Sequence, residues 1–246
     1  MRVRDLKKID FLIAFIKFYG VSSIKRGFIY VLTYMAIPLA ELFLIYMISK
    51  GIFLGYGIIG GLVTVIATNG LSSTADFAYL RLEVKLQDLL VSSEVTPNDY
   101  ILGLMLSNLV YSLPGIIVYV LLSLIFKLFN PIMILILLLL LFNTSAIGFF
   151  ISTLIPHMRY SWGIGGLLST FLSIIPPIFY PYYLLPKVFF YILYPLPTTL
   201  SALIIQNYSG LITLSNSLLA FSWILLVVET LIFYYISLKY SRWRSV

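Results

Sequence analysis

Residues 131–155 read PIMILILLLLLFNTSAIGFFISTLI, an apolar run without a single charge, interrupted by small polar groups at Asn143, Thr144 and Ser145 and at Ser152 and Thr153. A helix rises 1.5 Å per residue and the hydrocarbon core of a bilayer is about 30 Å thick, so roughly 20 such residues cross it. Working outward, five more stretches meet that length: Gly27–Ile48, Ile52–Thr74, Tyr100–Phe126, Ser161–Tyr180 and Ile212–Leu238. The segment from Lys187 to Ile205 is also apolar, but Pro195 and Pro197 cut it into pieces too short to cross alone. It is expected to form a re-entrant hairpin in the outer half of the membrane, held by Pro186, Tyr194, Pro195 and Pro197. The expected fold is therefore an all-α integral membrane protein with six spans, residues 27–246 forming one transmembrane domain behind an N-terminal helix over residues 1–26.

Composition supports lipid as the solvent. Hydrophobic residues make up 61% of the chain and charged residues 10%, against about 45–50% and 25% in a soluble domain. The net charge of +7 is spread over the chain ends and loops, which fits anionic headgroups and not a nucleic-acid partner. Cysteine is absent, so neither a disulfide framework nor a thiolate metal site is expected. The first ten residues carry four positive and two negative charges, and no cleavable signal peptide is expected there.

Lys and Arg beside spans are retained on the cytoplasmic side. With six spans, the inner set is Arg2, Arg4, Lys7, Lys8, Lys17, Lys25, Arg26, Arg81, Lys85, Arg159, Lys239, Arg242 and Arg244, against Lys50, Lys127 and Lys187 outside. This asymmetry puts both termini in the cytoplasm. A seventh crossing at Lys187 would send the C-terminal cations outside, so the same rule argues against it.

Two inner segments have helical patterning. Over residues 5–24, Ile9, Leu12, Ile13 and Ile16 share one face while Arg4, Lys7, Lys8, Asp10 and Lys17 occupy the remaining arc, with Phe11, Phe15 and Phe18 intruding on it. Such a helix lies in the interface plane as a surface anchor or a contact element. In residues 75–99, Tyr79, Leu82, Leu86 and Leu89 fall on one face and Arg81, Lys85 and Asp88 on the opposite one. A charged face projecting into the cytoplasm is either a solvated helix or a docking surface.

The run Leu86-Gln87-Asp88-Leu89-Leu90-Val91-Ser92-Ser93, followed by Asp99-Tyr100-Ile101-Leu102-Gly103, resembles the inner loop of the membrane subunits of ABC-2 type ABC transporters. Pro176-Pro177-Ile178-Phe179-Tyr180-Pro181, Leu185-Pro186 and Tyr194-Pro195-Leu196-Pro197-Thr198-Thr199 are similar to that family's proline-rich outer segment and broken hairpin. The resemblance implies a permease subunit of an exporter that dimerises with a second copy or a paralogue. It also implies that a separate ATP-binding subunit, carrying the ATP and Mg, drives the chain and that this chain itself binds no cofactor. On this reading Leu82–Ser93 is the coupling helix: Arg81, Leu82, Lys85, Leu86, Asp88 and Leu89 contact the ATPase, and His157 and Arg159 in the short Pro156–Arg159 loop provide a second contact.

The residues agree with a borrowed energy source, because no G-x-x-x-x-G-K-[ST] loop is present to cradle nucleotide phosphates. Gly55–Gly60 satisfies G-x-G-x-x-G but opens a membrane span with no strand before it. Gly57 and Gly61 instead form a small-residue face for close helix approach.

Glu41 and Glu229 lie inside predicted spans, where a lipid-facing charge costs on the order of 2.5 kcal/mol or more. No Lys, Arg or His shares the spans with them, so a neutral carboxyl is expected over an ion pair. They, with Asn69, Asn108 and Asn143, either line a path or bind helices together; Thr68, Ser107 and Thr144 belong with these. The outer aromatics Phe179, Tyr180, Tyr182, Tyr183, Phe189, Phe190, Tyr191 and Tyr194 form an interfacial belt or a surface for amphiphilic cargo. Asn207-Tyr208-Ser209 is a glycosylation sequon on the outer side. An enzyme is not expected, since His157 is the sole histidine and neither glutamate has a supporting motif. The competing class is an ion-coupled secondary transporter or channel, which would work without ATP.

Overall fold

The computed structural model describes residues 3–240, and the side chains within them except those of residues 3–7, 23, 26, 28, 30, 31, 33 and 34. Of the inner-side cations, Arg2, Arg242 and Arg244 lie outside the described residues, as do the side chains of Arg4, Lys7 and Arg26. The described chain is all helical, with 81% helix and no strands.

The N-terminal segment forms α1 (Val3–Phe15), a π-helical turn over Ile16–Val21 and a short α2 (Ser22–Arg26). Then come α3 (Phe28–Ser49), α4 (Leu54–Leu82), α5 (Leu86–Val91), α6 (Pro97–Ile125), α7 (Ile132–Leu154) and α8 (Met158–Ile174). After a 3-10 turn at Tyr182–Leu184, α9 (Lys187–Leu193), α10 (Pro197–Tyr208) and α11 (Asn216–Lys239) complete the fold. Four helices, α4, α6, α7 and α11, are long and apolar enough to cross a bilayer, and α9 with α10 makes a fifth candidate if that pair, bent by 108°, is one span. The apolar part of α3 among fully described residues is Met35–Ser49.

The expected span Ser161–Tyr180 is helical only to Ile174. Pro176 and Pro177 cause the stop: a proline has no N–H to donate and crowds the carbonyl four residues back. At 17 residues, α8 is about 25 Å long, short of a full hydrocarbon core. The chain beyond it is held irregular by side chains: the Tyr180 hydroxyl donates to the Ile175 carbonyl (3.0 Å) and Gln206 Nε2 to the Ile178 carbonyl (3.0 Å).

Helix α4 is the axis of the bundle, packing against α3, α6, α7, α8 and α10. Almost every side chain from Tyr56 to Leu80 is buried. Lipid tails are as apolar as leucine, so such an all-round contact depends on close backbone approach and not on hydrophobic drive. The closest approach is to α7: a Cβ on Gly148 would stand 2.6 Å from the Gly70 carbonyl oxygen. The Gly57–Gly61 pair works differently from the expected single face. Gly57 takes the Leu42 side chain of α3 and Gly61 the Tyr119 ring of α6, so the two slots serve two helices.

The N-terminal helix also turns a different face inward. Ile9 and Ile13 are exposed, whereas Phe15 is buried against α6, its ring 5.8 Å from that of Tyr100 and edge-on to it. Of the aromatics that interrupt the charged arc in sequence, Phe15 and Phe11 pack inward, Phe15 into the slot that Gly103 leaves, while Phe18 is exposed.

Gly148→Ala should force the α4–α7 backbones apart and destabilise the detergent-solubilised chain by about 1–3 kcal/mol. In the isolated protomer Gly163→Ala, whose added methyl meets nothing within 4 Å of the chain itself, should be neutral or stabilising by up to about 1 kcal/mol. Thermal unfolding of the two variants side by side checks both.

Candidate functional site

Helix α4 ends because the chain turns at Glu83–Lys85. The Glu83 and Val84 amides both donate to the Tyr79 carbonyl (3.0 and 3.1 Å), and Lys85 takes a left-handed conformation with φ of 52°. A continuous coupling helix over Leu82–Ser93 is therefore not formed: Arg81 and Leu82 belong to α4, Lys85 is the junction, and Leu86, Asp88 and Leu89 belong to the six-residue α5. The face changes with the break. Leu86 and Leu90 pack against Phe77, Leu80 and their neighbours, and Gln87 is buried. Leu89 is 65% exposed, and Val84 and Val91 are exposed beside Lys85 and Asp88.

The entry to α6 is fixed by a reciprocal cap in which Asp99 N–H donates to Thr96 Oγ1 (3.3 Å) and Thr96 N–H to Asp99 Oδ2 (3.1 Å). Such a pairing satisfies two helix-start donors at once. Lys8 of α1 forms an ion pair with Asp99 at 3.5 Å, and the Tyr234 hydroxyl of α11 donates to Asn98 Oδ1. The polar loop is thus moored to both ends of the chain.

The second inner connection, Ile155–His157, lies beside the first. Arg81 Nη2 donates to the Ser152 carbonyl (2.6 Å) and the Ile155 carbonyl (2.7 Å) at the end of α7. His157 precedes the first turn of α8, and both it and Arg159 are exposed.

Inside the bundle most hydroxyls, those of Thr68, Ser107 and Thr144 among them, donate to carbonyls of their own helix, while the asparagines reach across helices. Asn69 Nδ2 donates to the Asn108 carbonyl (3.1 Å) and to Ser112 Oγ, and Asn108 Nδ2 donates to Ser73 Oγ and Ser145 Oγ at 3.1 Å each. This network links α4, α6 and α7 and is buried throughout. Asn143 stands apart from it, donating to Thr230 Oγ1 of α11 at 3.3 Å. Glu41 on α3 and Glu229 on α11 are half-buried and are not brought together with the asparagines; Oε2 of each is buried without a partner among the described residues.

At the opposite end, Pro186 precedes α9, Tyr194 closes it, Pro195 is exposed and Pro197 opens α10. Proline at the first helical position is favourable, since its missing N–H would have no partner there. The Tyr194 hydroxyl lies 2.8 Å from Ser222 Oγ, and its ring stacks on Phe221 of α11.

Two features escaped the sequence reading. Asp76 of α4 accepts a hydrogen bond from the Tyr19 side chain, tying the π-helical turn to the axis helix. The Gly70–Gly148 contact was equally silent, because its partners are far apart in sequence. A lone Asp one turn past an apolar run, and two glycines about eighty residues apart in different helices, carry no spacing pattern.

Asn108→Ala should remove both of its cross-helix donors and lower stability by roughly 1 kcal/mol, the scale of such bonds in membranes. Its cargo selectivity should be unchanged; unfolding and transport measured on one preparation separate the two effects.

A family profile described as ABC-2 type transporter matches residues 10–208, from within α1 to the end of α10. No curated protein matches the chain. The matched segment contains the axis helix, the moored polar loop and the bent outer pair, and the chain belongs to the ABC-2 type transporter family as a multi-pass membrane component of such a transporter.

Proposed function

We propose that this chain is the six-span permease half of an ATP-driven exporter, enclosing the translocation path with a second copy or a paralogue and driven by a separate ATP-binding subunit. The spans are α3, α4, α6, α7, α8 and α11, with α9 and α10 dipping in from the outer side. Residues 1–26 are the interface helix, and both termini face the cytoplasm of a cell-membrane protein. The cation asymmetry supports this orientation, since Lys8, Lys85, Arg81, Arg159 and Lys239 share one end while Lys50, Lys127 and Lys187 share the other. ATP and Mg belong to the partner, and this chain transports without performing catalysis.

The observation that carries the reading is the exposed surface of α5. Leu89, Val84 and Val91 project among Glu83, Lys85, Asp88, Ser92 and Ser93, a composition that belongs outside the hydrocarbon. An apolar knob ringed by charges is the anatomy of a docking patch for a soluble protein. ABC-2 permeases normally work with an ATP-binding subunit, and that subunit is the occupant this reading assigns. His157 and Arg159 form the second contact. For the dimer, α8 offers an exposed strip of small and apolar residues at Gly163, Gly166, Leu167, Thr170 and Phe171, suited to close helix approach. The half-buried carboxylates and weakly polar spans fit an amphiphilic cargo.

Leu89→Asp, or reversal of Lys85 and Asp88 together, should leave the permease folded but lower both ATPase stimulation and transport by about tenfold or more, the loss of roughly 1.4 kcal/mol of coupling. Reconstitution with the ATP-binding subunit measures this. Transport in vesicles that persists without nucleotide would refute the exporter reading and favour ion coupling.

A further inference from the structure

The end of α7 has a specific chemical deficit. Its last regular bond would run from residue 156 to the Ser152 carbonyl, but residue 156 is proline and has no N–H. The residue before a proline is driven out of the helical region, and Ile155 is accordingly extended, with ψ of 118°. The Ser152 carbonyl keeps only a tightened bond from the Ile155 amide at 3.3 Å, and the helix dipole makes the carbonyls at this end favourable sites for a cation.

The cation arrives from another helix. Arg81, in the last turn of α4, places Nη2 2.6 Å from the Ser152 oxygen and 2.7 Å from the Ile155 oxygen. Short contacts from a guanidinium are charge-assisted and about twice as strong as neutral hydrogen bonds. Four residues along the chain from Arg81 comes Lys85, the junction to α5, and two residues along from Ile155 comes His157, the start of α8.

We infer that Arg81 is the positioning residue that couples the two inner connections, so that displacement of the α4–α5 junction is delivered to the α7–α8 connection and hence to α8. The guanidinium supplies the donor that Pro156 lacks, and its one Nη2 bridges two carbonyls at the end of α7, which ties that end to α4. The role is consistent with the exposure pattern: Arg81 is half-buried and faces the chain's own carbonyls, while Lys85 and Asp88 remain exposed for a partner. This inference deepens the permease reading, because it gives α5 an output, but the link is a property of this chain alone.

The chain has no cysteine, so spin labels at Ser92→Cys and Tyr160→Cys, both exposed positions, report the separation of the two connections without background. In the purified permease without its partner, the parent pair should give one narrow distance distribution. Arg81→Met should broaden it, while Arg81→Lys, which keeps the charge but loses the planar guanidinium and its reach, should recover it in part. An unchanged narrow distribution in Arg81→Met overturns the inference; if that variant does not fold, an unchanged distribution in Arg81→Lys does so. With the ATP-binding subunit present, Arg81→Met should retain ATPase stimulation and lose transport about tenfold, which separates a broken link from a lost docking surface. Failure of any ATPase to respond to the parent permease would count against the exporter reading and leave the distance result standing.

Discussion

The structure depends on helices reaching one another in a solvent that does not push them together. In water, burying an apolar face contributes about 25 cal/mol per Å², but between helices already dissolved in hydrocarbon that term nearly vanishes. Shape and hydrogen bonding remain. Helix α4 uses both: Gly70 and Gly148 let its backbone meet α7, and Asn69 and Asn108 then fall within reach of Ser73, Ser112 and Ser145. The order of cause matters, since one extra methyl at the glycine contact would move the donors away from their acceptors. Both N–H groups of the Asn69 and Asn108 carboxamides are occupied inside the chain.

The second constraint lies at the ends of the helices. Three lysines, Lys50, Lys85 and Lys127, have positive φ, a conformation that costs a residue with a Cβ roughly 1–2 kcal/mol. Each stands where a helix has just ended, or nearly so, and where a cation interacts favourably with the last carbonyls. Lys85 has the further effect of rotating α5 relative to α4, so that Leu86 and Leu90 turn inward and Leu89 outward.

Much of this fold was legible in the sequence, and the misses have physical causes. Apolar run length located α4, α6, α7 and α11, because crossing a fixed thickness demands a fixed number of residues. The proline-broken outer segment was legible for the same reason that it bends: Pro195 and Pro197 remove donors. The end of α8 was misplaced by six residues, since Ile175 to Tyr180 are apolar enough to continue a span and only the effect of Pro176 and Pro177 on the preceding turn decides otherwise. The single helix expected across Leu82–Ser93 failed because periodicity cannot register one left-handed residue; the pattern continues through Lys85 in sequence while the backbone does not. Among the site residues, Arg81 looked like a surface charge. Its true partners are backbone carbonyls, which leave no mark on residue type, and only Pro156 hinted that a donor would be wanted there.

Exposure has two meanings in a protein of this kind. Ile117, Leu121 and Leu231 are more than half exposed, yet on helices long and apolar enough to cross a bilayer such residues meet acyl chains and lose nothing by it. Leu89 has similar exposure, but its neighbours are Glu83, Lys85, Asp88, Ser92 and Ser93, so its surroundings are aqueous or at best interfacial. The same side chain is therefore at rest in one place and out of place in the other. A soluble surface that covered Leu89 would remove that cost, whereas covering Leu167 must be achieved by fit alone, through the bare backbone at Gly163 and Gly166. The two exposed faces therefore differ in kind: on the proposed reading, the hydrophobic effect would contribute to covering α5, whereas covering α8 would rest on close packing.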